Sequence, residues 1–442
     1  MKKFKIYTLG CKVNQYDSES LSRKLLSAGF MVGEDNVTLV IVNTCTVTHS
    51  AIAKDKKMIE KARQENPKAK IAVVGCMPVN YRAEVEKLGV DYIFGTKEAD
   101  KLVVAITNDQ LSIINENSEI ENLLKNDNCE LKINKTSKSR YFIKVQDGCQ
   151  QFCSYCIIPY NRGKLTSRPA DEVINEIKQI VKLGYKEIIL CGIHLGLYGV
   201  DFNPPSPPYQ GGAISPLDKG GLGDLNVGNL VDLLKELIRI EGLEKIRLSS
   251  IEVIDVNDEL IELMNNNRKI CRHLHIPLQS GCDKILKLMN RPYTTEYFAD
   301  KINKLRSLMP EIAITTDVIV GFPGETDSDF KITEEFIKKI NFSKLHVFPF
   351  SAHEKTPAYT FPDQLSQQVK VERAKVLSRL SEQLEKDYKQ KFVGQVLDVI
   401  VDGRSREKKY RAKSEYFFDV EFESEEKLRV GEWVLVKGWK LI

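Results

Sequence analysis

No apolar run in the 442-residue chain reaches the length of a bilayer crossing, so the sequence predicts no membrane-spanning helix. The opening MKKFKIYTLGC turns polar soon after its lysines and lacks the apolar stretch of a secretory signal. A cytoplasmic location is therefore expected, in a reducing compartment where disulfides rarely persist. Neither charge is in excess. The 65 basic and 61 acidic residues leave a net charge of only +4, which does not by itself announce a nucleic-acid partner. Hydrophobic content of 42% and charged content of 29% are those of a globular chain, and the length predicts two or three domains. What the chain does have is cysteine. Ten thiols in a reducing compartment point to metal binding or catalysis.

The fold class expected is α/β. FKIYTLGC, TLVIVNTC and KIAVVGC read as buried strands, each followed by a helix-like segment, which predicts a parallel sheet over residues 1–107. A polar linker, with a lone Cys129, is expected over 108–139. Over 140–365, six apolar strands alternate with amphipathic helices: RYFIKVQ, KEIILCGI, KIRLSSIEV, HLHIPLQ, AITTDVIVGF and KLHVFPFS. That alternation predicts a partial (β/α)6 barrel whose chemistry sits at the C-terminal ends of its strands. The Pro- and Gly-dense stretch 201–224 reads as a flexible surface insertion. A charged connecting helix over 366–391 leads to period-two segments over 392–442, a small antiparallel β-barrel. Within it, GRSREKKYRAK at 403–413 packs six basic residues around one acid, a phosphate-following cluster or a solvated loop.

Three cysteines crowd the run DGCQQFCSYC: Cys149, Cys153 and Cys156, just after the first barrel strand. A structural zinc site needs a fourth ligand, which Cys191 or His194 could supply. A four-iron cluster with one uncapped iron needs no fourth protein ligand. Three further thiols, Cys11, Cys45 and Cys76, each follow one of the N-terminal parallel strands. Parallel strands end on one edge, so these thiols are expected to converge there. Cys191, Cys271 and Cys282 are expected to pack as small apolar residues, and His194, His273 and His275 as hydrogen-bonded core groups.

C-x-x-x-C-x-x-C after the first strand of a partial barrel resembles the radical S-adenosylmethionine superfamily. With LGCKVNQYDSE, NTCTVTHSA, VVGCMPV, GCQQFCSYCIIPYNRGKLTSRP, LHIPLQSGCDKILKLMNRPYT and TTDVIVGFPGET, the chain resembles the methylthiotransferases. That family has an N-terminal cluster domain, a radical core and a C-terminal TRAM domain. Lys12, Val13 and Asn14 resemble the branch acting on N6-threonylcarbamoyladenosine-37 of tRNA, and Tyr160 resembles the tRNA-acting branches. His353 and Lys355 depart from the common pattern, as does RGKLTSRP. Isopentenyladenosine-37 and a ribosomal-protein aspartate are the sibling substrates, and a non-enzymatic zinc-containing RNA-binding protein is the rival class.

The resemblance implies two [4Fe-4S] clusters, one on Cys149, Cys153 and Cys156 and one on Cys11, Cys45 and Cys76, with S-adenosylmethionine chelating the open iron of the former. It implies radical replacement of the C2 hydrogen of adenine by a methylthio group, which acid–base chemistry cannot achieve. Gly192 is implied as a backbone contact to the cosubstrate, and Glu252, Gln279 and Asp317 near later strand ends as contacts to ribose, adenine or substrate. The implied partners are tRNA, through its anticodon loop, and an external electron donor such as flavodoxin or ferredoxin. Arg404, Arg406, Lys408, Lys409, Arg411 and Lys413 are expected to meet phosphates, with Tyr410 or Tyr416 stacking on a base.

Overall fold

The computed structural model describes residues 2–108, 139–202, 227–405, 407 and 409–441. The interior of the expected linker with Cys129, nearly all of the insertion, Arg406 and Lys408 lie outside the described residues. Two compact units emerge: Met1–Thr136 with Gly148–Gln151 and Cys156–Lys164, and Ser137–Asp147 with Phe152–Tyr155 and Leu165–Ile442.

The first unit is built on a five-stranded sheet, β1 (Lys3–Thr8), β2 (Met31–Val32), β3 (Leu39–Thr44), β4 (Lys70–Gly75) and β5 (Tyr92–Ile93). Its spatial order is β2-β1-β3-β4-β5, and every pairing is parallel. Central β3 is buried along its whole length, as its unbroken apolar run LVIV demands of a strand covered on both faces. One face packs Phe4, Ile41, Ala72 and Val74 against Leu21 and Leu25 of α1 (Lys12–Ser27). The other packs Val40, Val42, Ile71 and Val73 against Ile52 and Ile59 of α2 (His49–Glu65). Strands β1 and β3 are neighbours although β2 lies between them in sequence, so the chain reverses direction across the sheet at that point. Ligands of open α/β sheets bind beyond the strand ends at such a switch.

The second unit holds six parallel strands in sequence order: β6 (Arg140–Lys144), β9 (Glu187–Cys191), β10 (Lys245–Leu248), β11 (His273–His275), β12 (Ala313–Val320) and β13 (Lys344–Pro349). Single parallel bridges, Ile246 to Ile270 and Ser250 to His275, join the two three-stranded halves. A short antiparallel ribbon of β7 (Gln146–Asp147) and β8 (Thr166–Ser167) pinches together the two ends of the segment that carries the cysteine run.

The last strands, β14 (Leu397–Arg404), β15 (Tyr410–Ser414), β16 (Asp419–Phe422), β17 (Trp433–Val436) and β18 (Lys440–Leu441), form an antiparallel sheet in the order β17-β14-β15-β16-β18. It packs against the N-terminal ends of the barrel strands. Arg140, the first residue of β6, pairs with Asp402 at 3.5 Å, and Lys245, the first of β10, pairs with Asp398 at 2.8 Å. His273, the first of β11, stacks on Phe417 with ring centroids 4.5 Å apart. Arg247 is wholly buried, ion-paired with Glu187 at 2.8 Å, and donates to the carbonyls of Glu415 and Ser414 at 3.0 and 3.2 Å. Among the described residues no helix is long and apolar enough to cross a membrane.

The basic stretch needs a correction, because β15 runs through it. Tyr410, Ala412 and Ser414 point inward while Arg411 stays exposed, a period-two pattern hidden by the density of cations. Tyr410 and Tyr416 belong to the sheet's apolar core and are not free to stack on a base. Lys413 is engaged by Asp419 at 2.5 Å and lies over the Phe417 ring, while Lys409 pairs with Glu407 at 2.7 Å. Arg404 is folded over the Tyr410 ring.

Candidate active site

Each thiol of the first set is placed by a strand end. Cys11 is the N-cap residue of α1 just past β1, Cys45 follows β3, and Cys76 follows β4 at the start of the short helix α3 (Met77–Asn80). Because β1, β3 and β4 are adjacent, the three positions lie along one edge of the sheet. Cys45 and Cys76 are buried and Cys11 is exposed. Burial pushes the Cys45 thiol up to about 11, and the charge of Cys11 adds to it. Burial likewise pushes Cys76 up to about 12, with Cys45 and Cys11 reinforcing the shift. The thiols therefore stand close enough to feel one another. Gly10 makes the approach feasible: at φ +97°, a Cβ there would lie 2.9 Å from Cys45 Sγ.

One cation opposes these shifts. The Arg162 guanidinium favours the thiolate forms of both Cys45 and Cys76, and it hydrogen-bonds Cys76. Arg162 ends the helix Ile158–Arg162, which belongs to this same unit, and is itself buried. It donates to Asn14 Oδ1 at 2.6 Å and pairs with Asp17 at 3.3 Å. Asn14 is in turn fixed by donating to the carbonyls of Leu9, just past β1, and Thr44, the last residue of β3, and its Oδ1 also faces Cys11 Sγ at 3.8 Å. Asn161 extends the helix's grip by donating to Thr46 Oγ1 at 2.7 Å. The backbone N–H of Cys45 donates to Asp55 at 2.8 Å, and burial pushes that carboxyl up to about 7.

The second set is divided between the units: Cys149 and Cys156 lie in segments of the first, Cys153 in the second. The Cys149 N–H donates to the Gly163 carbonyl at 3.2 Å, tying the run to the end of the Arg162 helix. In the second unit, the Ser154 N–H donates to the Met289 carbonyl at 3.1 Å and Asn290 Nδ2 to the Phe152 carbonyl at 3.2 Å. Phe152 is half exposed, with φ +49°. Cys153 is buried, and its sulfur accepts from Arg291 Nη1 at 3.3 Å.

Gly192 directly follows β9, and a Cβ there would lie 2.8 Å from Gln146 Oε1. Glu252 lies four residues beyond β10 and is ion-paired with Arg291. Gln279 has φ +63°, and its N–H donates to the Asp317 carbonyl at 2.8 Å. The Asp317 carboxylate pairs with His275 at 3.2 Å. The structure thus joins Glu252 to Cys153 through Arg291, and Gln279 to Asp317 through the backbone. Gly192 instead adjoins Gln146, whose Oε1 also accepts from the His194 N–H at 2.8 Å. His194 Nε2 is held by Asp255 at 2.8 Å, while Cys191 closes β9 in full burial. Cys271 and Cys282 are buried, and His273 and His275 both meet Thr315 Oγ1. Reading the residues alone had not singled out Asn14 as a positioning group, nor Arg162, Asp55 or Arg291.

Among the described residues, no three His, Cys, Asp or Glu side chains are grouped to hold a single metal ion. Cys11, Cys45 and Cys76, with Arg162 against Cys76, and Cys153, with Arg291 against it, are soft sulfur donors of the kind that iron–sulfur ligation uses.

Residues 143–337 match the Radical SAM superfamily, and residues 3–95 match the family described as Uncharacterized protein family UPF0004. The chain is 40% identical over 407 residues to the threonylcarbamoyladenosine tRNA methylthiotransferase MtaB of Bacillus subtilis (strain 168), covering 91% of this chain and 85% of that one. The chain belongs to the tRNA methylthiotransferase family. A second relative, MtaB of Thermotoga maritima, is 35% identical, with 99% of this chain and 94% of that one covered. The tRNA-2-methylthio-N(6)-dimethylallyladenosine synthase of Carboxydothermus hydrogenoformans is 32% identical, covering 92% and 89%. Among solved structures, the radical S-adenosylmethionine methyltransferase TsrM from Kitasatospora setae superposes with a TM-score of 0.56. That match covers 81% of this chain and 77% of that one at 15% identity, a likeness of fold. A methylthiotransferase of the radical SAM superfamily is a transferase whose family implies S-adenosylmethionine and a [4Fe-4S] cluster.

Proposed function

We propose that this methylthiotransferase converts N6-threonylcarbamoyladenosine at position 37 of tRNA to its 2-methylthio derivative. One observation carries the reading: three thiols stand at adjacent strand ends of a switch-point sheet, with the buried Arg162 favouring the thiolate forms of Cys45 and Cys76. The name shared by the Bacillus and Thermotoga relatives supports the choice of nucleoside.

Cys149, Cys153 and Cys156 would hold one [4Fe-4S] cluster, and Cys11, Cys45 and Cys76 a second. With S-adenosylmethionine bound, such clusters supply the one-electron chemistry that opens an unactivated C–H bond to sulfur. The chain's own residues hold, orient and shield. Arg162 counters the negative charge of the first thiolate set, and Asn14 fixes Arg162 against the ends of β1 and β3. Gly192, Glu252, Gln279 and Asp317, all on the C-terminal side of barrel strands, would contact the cosubstrate or the nucleoside. An external low-potential donor, a flavodoxin or ferredoxin, would supply electrons, and the cytoplasm is the compartment where tRNA and that donor meet.

The test is mass spectrometry of tRNA nucleosides from a strain lacking the gene, with the wild-type chain, Cys45→Ser and Cys149→Ser returned separately. Loss of 2-methylthio-threonylcarbamoyladenosine, restored only by the wild type, is expected. Persistence of that nucleoside overturns the proposal. Loss of the 2-methylthio-isopentenyl form instead reassigns the substrate to the sibling branch.

A further inference from the structure

A guanidinium taken out of water must be matched by acceptors or counter-charges, or its burial is prohibitively costly. Arg291 is only 8% exposed, and its three nitrogens reach three different groups. Nη1 donates to Cys153 Sγ at 3.3 Å, Nη2 is ion-paired with Glu252, and Nε donates to Tyr293 Oη at 3.2 Å. The Tyr293 ring lies 5.1 Å from the guanidinium carbon. Its hydroxyl is anchored in turn by the carbonyls of Pro277 and Leu278 at 3.1 and 2.9 Å. Burial raises the Tyr293 phenol well above its usual range, so it remains a neutral orienting group and not a counter-ion. The result is a rigid line of sulfur, cation and carboxylate.

We propose that Arg291 is a positioning residue that sets the reduction potential of the cluster held in part by Cys153, with Glu252 as its opposing charge. This rests on the assignment of Cys153 as a cluster ligand. One-electron reduction adds negative charge to the cluster and its thiolates. An N–H···S bond from a cation stabilises that charge more in the reduced state than in the oxidised one, so Arg291 raises the potential. Glu252 is negative on the far side of the same guanidinium and tempers the effect. One electron passes from the donor to the cluster, and no bond is made or broken. An arginine serving only the packing of this region would leave the potential unmoved when replaced.

The experiment is a dye-mediated redox titration of the anaerobic, iron-loaded full chain, followed by electron paramagnetic resonance. No tRNA is present. The relevant wave is the one that S-adenosylmethionine perturbs. Arg291→Met should make reduction at least tenfold less favourable, a fall of about 59 mV per tenfold for a one-electron couple. Glu252→Gln should move the same wave upward, and Arg291→Lys should fall between wild type and Arg291→Met. Opposite signs for the two partners are the signature. If Arg291→Met does not fold, the direction of the Glu252→Gln shift decides. Full iron content with an unmoved wave in Glu252→Gln and in either Arg291 variant overturns the inference alone. A wild-type chain that never takes up iron overturns the proposed function, and this inference with it.

Discussion

Replacing Gly10 by alanine should separate the cost of a strained backbone from the cost of crowding Cys45. Gly10 sits at φ +97°, and an added Cβ would lie 2.5 Å from Cys45 Cβ, 2.9 Å from its sulfur and 3.0 Å from Asn14 Nδ2. Carbon atoms rest about 3.5–4.0 Å apart, so Cys45 or Gly10 must shift by roughly 1 Å. Forcing an extra methyl into a packed site costs about 1–3 kcal/mol. The unfavourable φ adds about 1–2 kcal/mol for any residue with a Cβ. Gly89 is the control: its φ is +64° and an added Cβ meets nothing within 4 Å, so Gly89→Ala carries the backbone term alone. The expected losses are about 2–5 kcal/mol for Gly10→Ala and about 1–2 kcal/mol for Gly89→Ala, read from urea unfolding. Iron should report the same displacement. The two proposed four-iron sites predict about eight irons in wild type and in Gly89→Ala, and about four in Gly10→Ala. Gly10→Ala should still cleave S-adenosylmethionine and yet make no methylthiolated nucleoside. Stability matching Gly89→Ala together with a full iron count would refute the geometry.

Arg162→Met should lower urea stability by about 2–4 kcal/mol and reduce iron loading, because it removes the buried hydrogen bond to Asn14 Oδ1, the ion pair with Asp17 and the charge that favours the Cys45 and Cys76 thiolates; Arg162→Lys should recover part of both. Arg247→Met leaves the fully buried Glu187 without its partner and should cost about 3–5 kcal/mol, whereas the double variant with Glu187→Leu should recover, in the same melts, the part due to the stranded carboxylate but not the lost bonds to the Glu415 and Ser414 carbonyls. At Asp329, burial opposes ionisation, but hydrogen bonds from Lys284 and Thr326 outweigh it and lower the carboxyl from 3.8 to about 2. A lowered folded-state value stabilises above the unfolded one, so the deficit of Asp329→Ala, about 1–2 kcal/mol at pH 6, should shrink as the pH falls from 3.8 towards 2. A deficit independent of pH would count against that account. Arg411→Glu, at an exposed position on β15, should raise the KM for tRNA severalfold with little change in kcat, an effect that fades at high salt.

Much of the scaffold was legible because its signals are long and local. The three N-terminal strands and the six barrel strands each carry an apolar run that only a covered parallel sheet can hide, and all nine are present. The convergence of Cys11, Cys45 and Cys76 followed from strand polarity, since residues just past parallel strands share an edge. Strands β2 and β5, two residues each, carry no periodicity to detect. Strand β15 was obscured for a different reason: cations at its outward positions imitate a solvated loop, and the inward tyrosine looks like a base-stacking platform. Arg162 and Arg291 lie in plain sight in PYNRG and MNRPY, yet no local rule says that an arginine will be buried. That depends on acceptors such as Asn14 and Glu252, which lie 148 and 39 residues away in sequence.

The position of the C-terminal sheet changes what its cations can do. It packs on the first residues of β6, β10 and β11, while the candidate cosubstrate groups lie towards the other ends of the strands. Ala313, at the start of β12, belongs to the sheet's own apolar core, and the strand runs seven residues further to Val320. At about 3.3 Å per residue that is roughly 23 Å, several times the reach of an arginine side chain. Residues where the sheet meets the strand feet therefore cannot touch a base presented at the strands' C-terminal ends. With Tyr410 and Tyr416 committed to the core, the sheet's described outer residues offer charge and little aromatic surface, which suits a sugar–phosphate backbone read without regard to sequence. On the proposed function, recognition of the adenine falls to the barrel's own loops, where Gln279 holds a strained backbone beside Asp317 and Phe152 stands half exposed next to Cys153. On that reading the division of labour follows from topology: affinity can be spread over a sheet at the strand feet, while selection of one nucleoside falls to the strands' C-terminal ends.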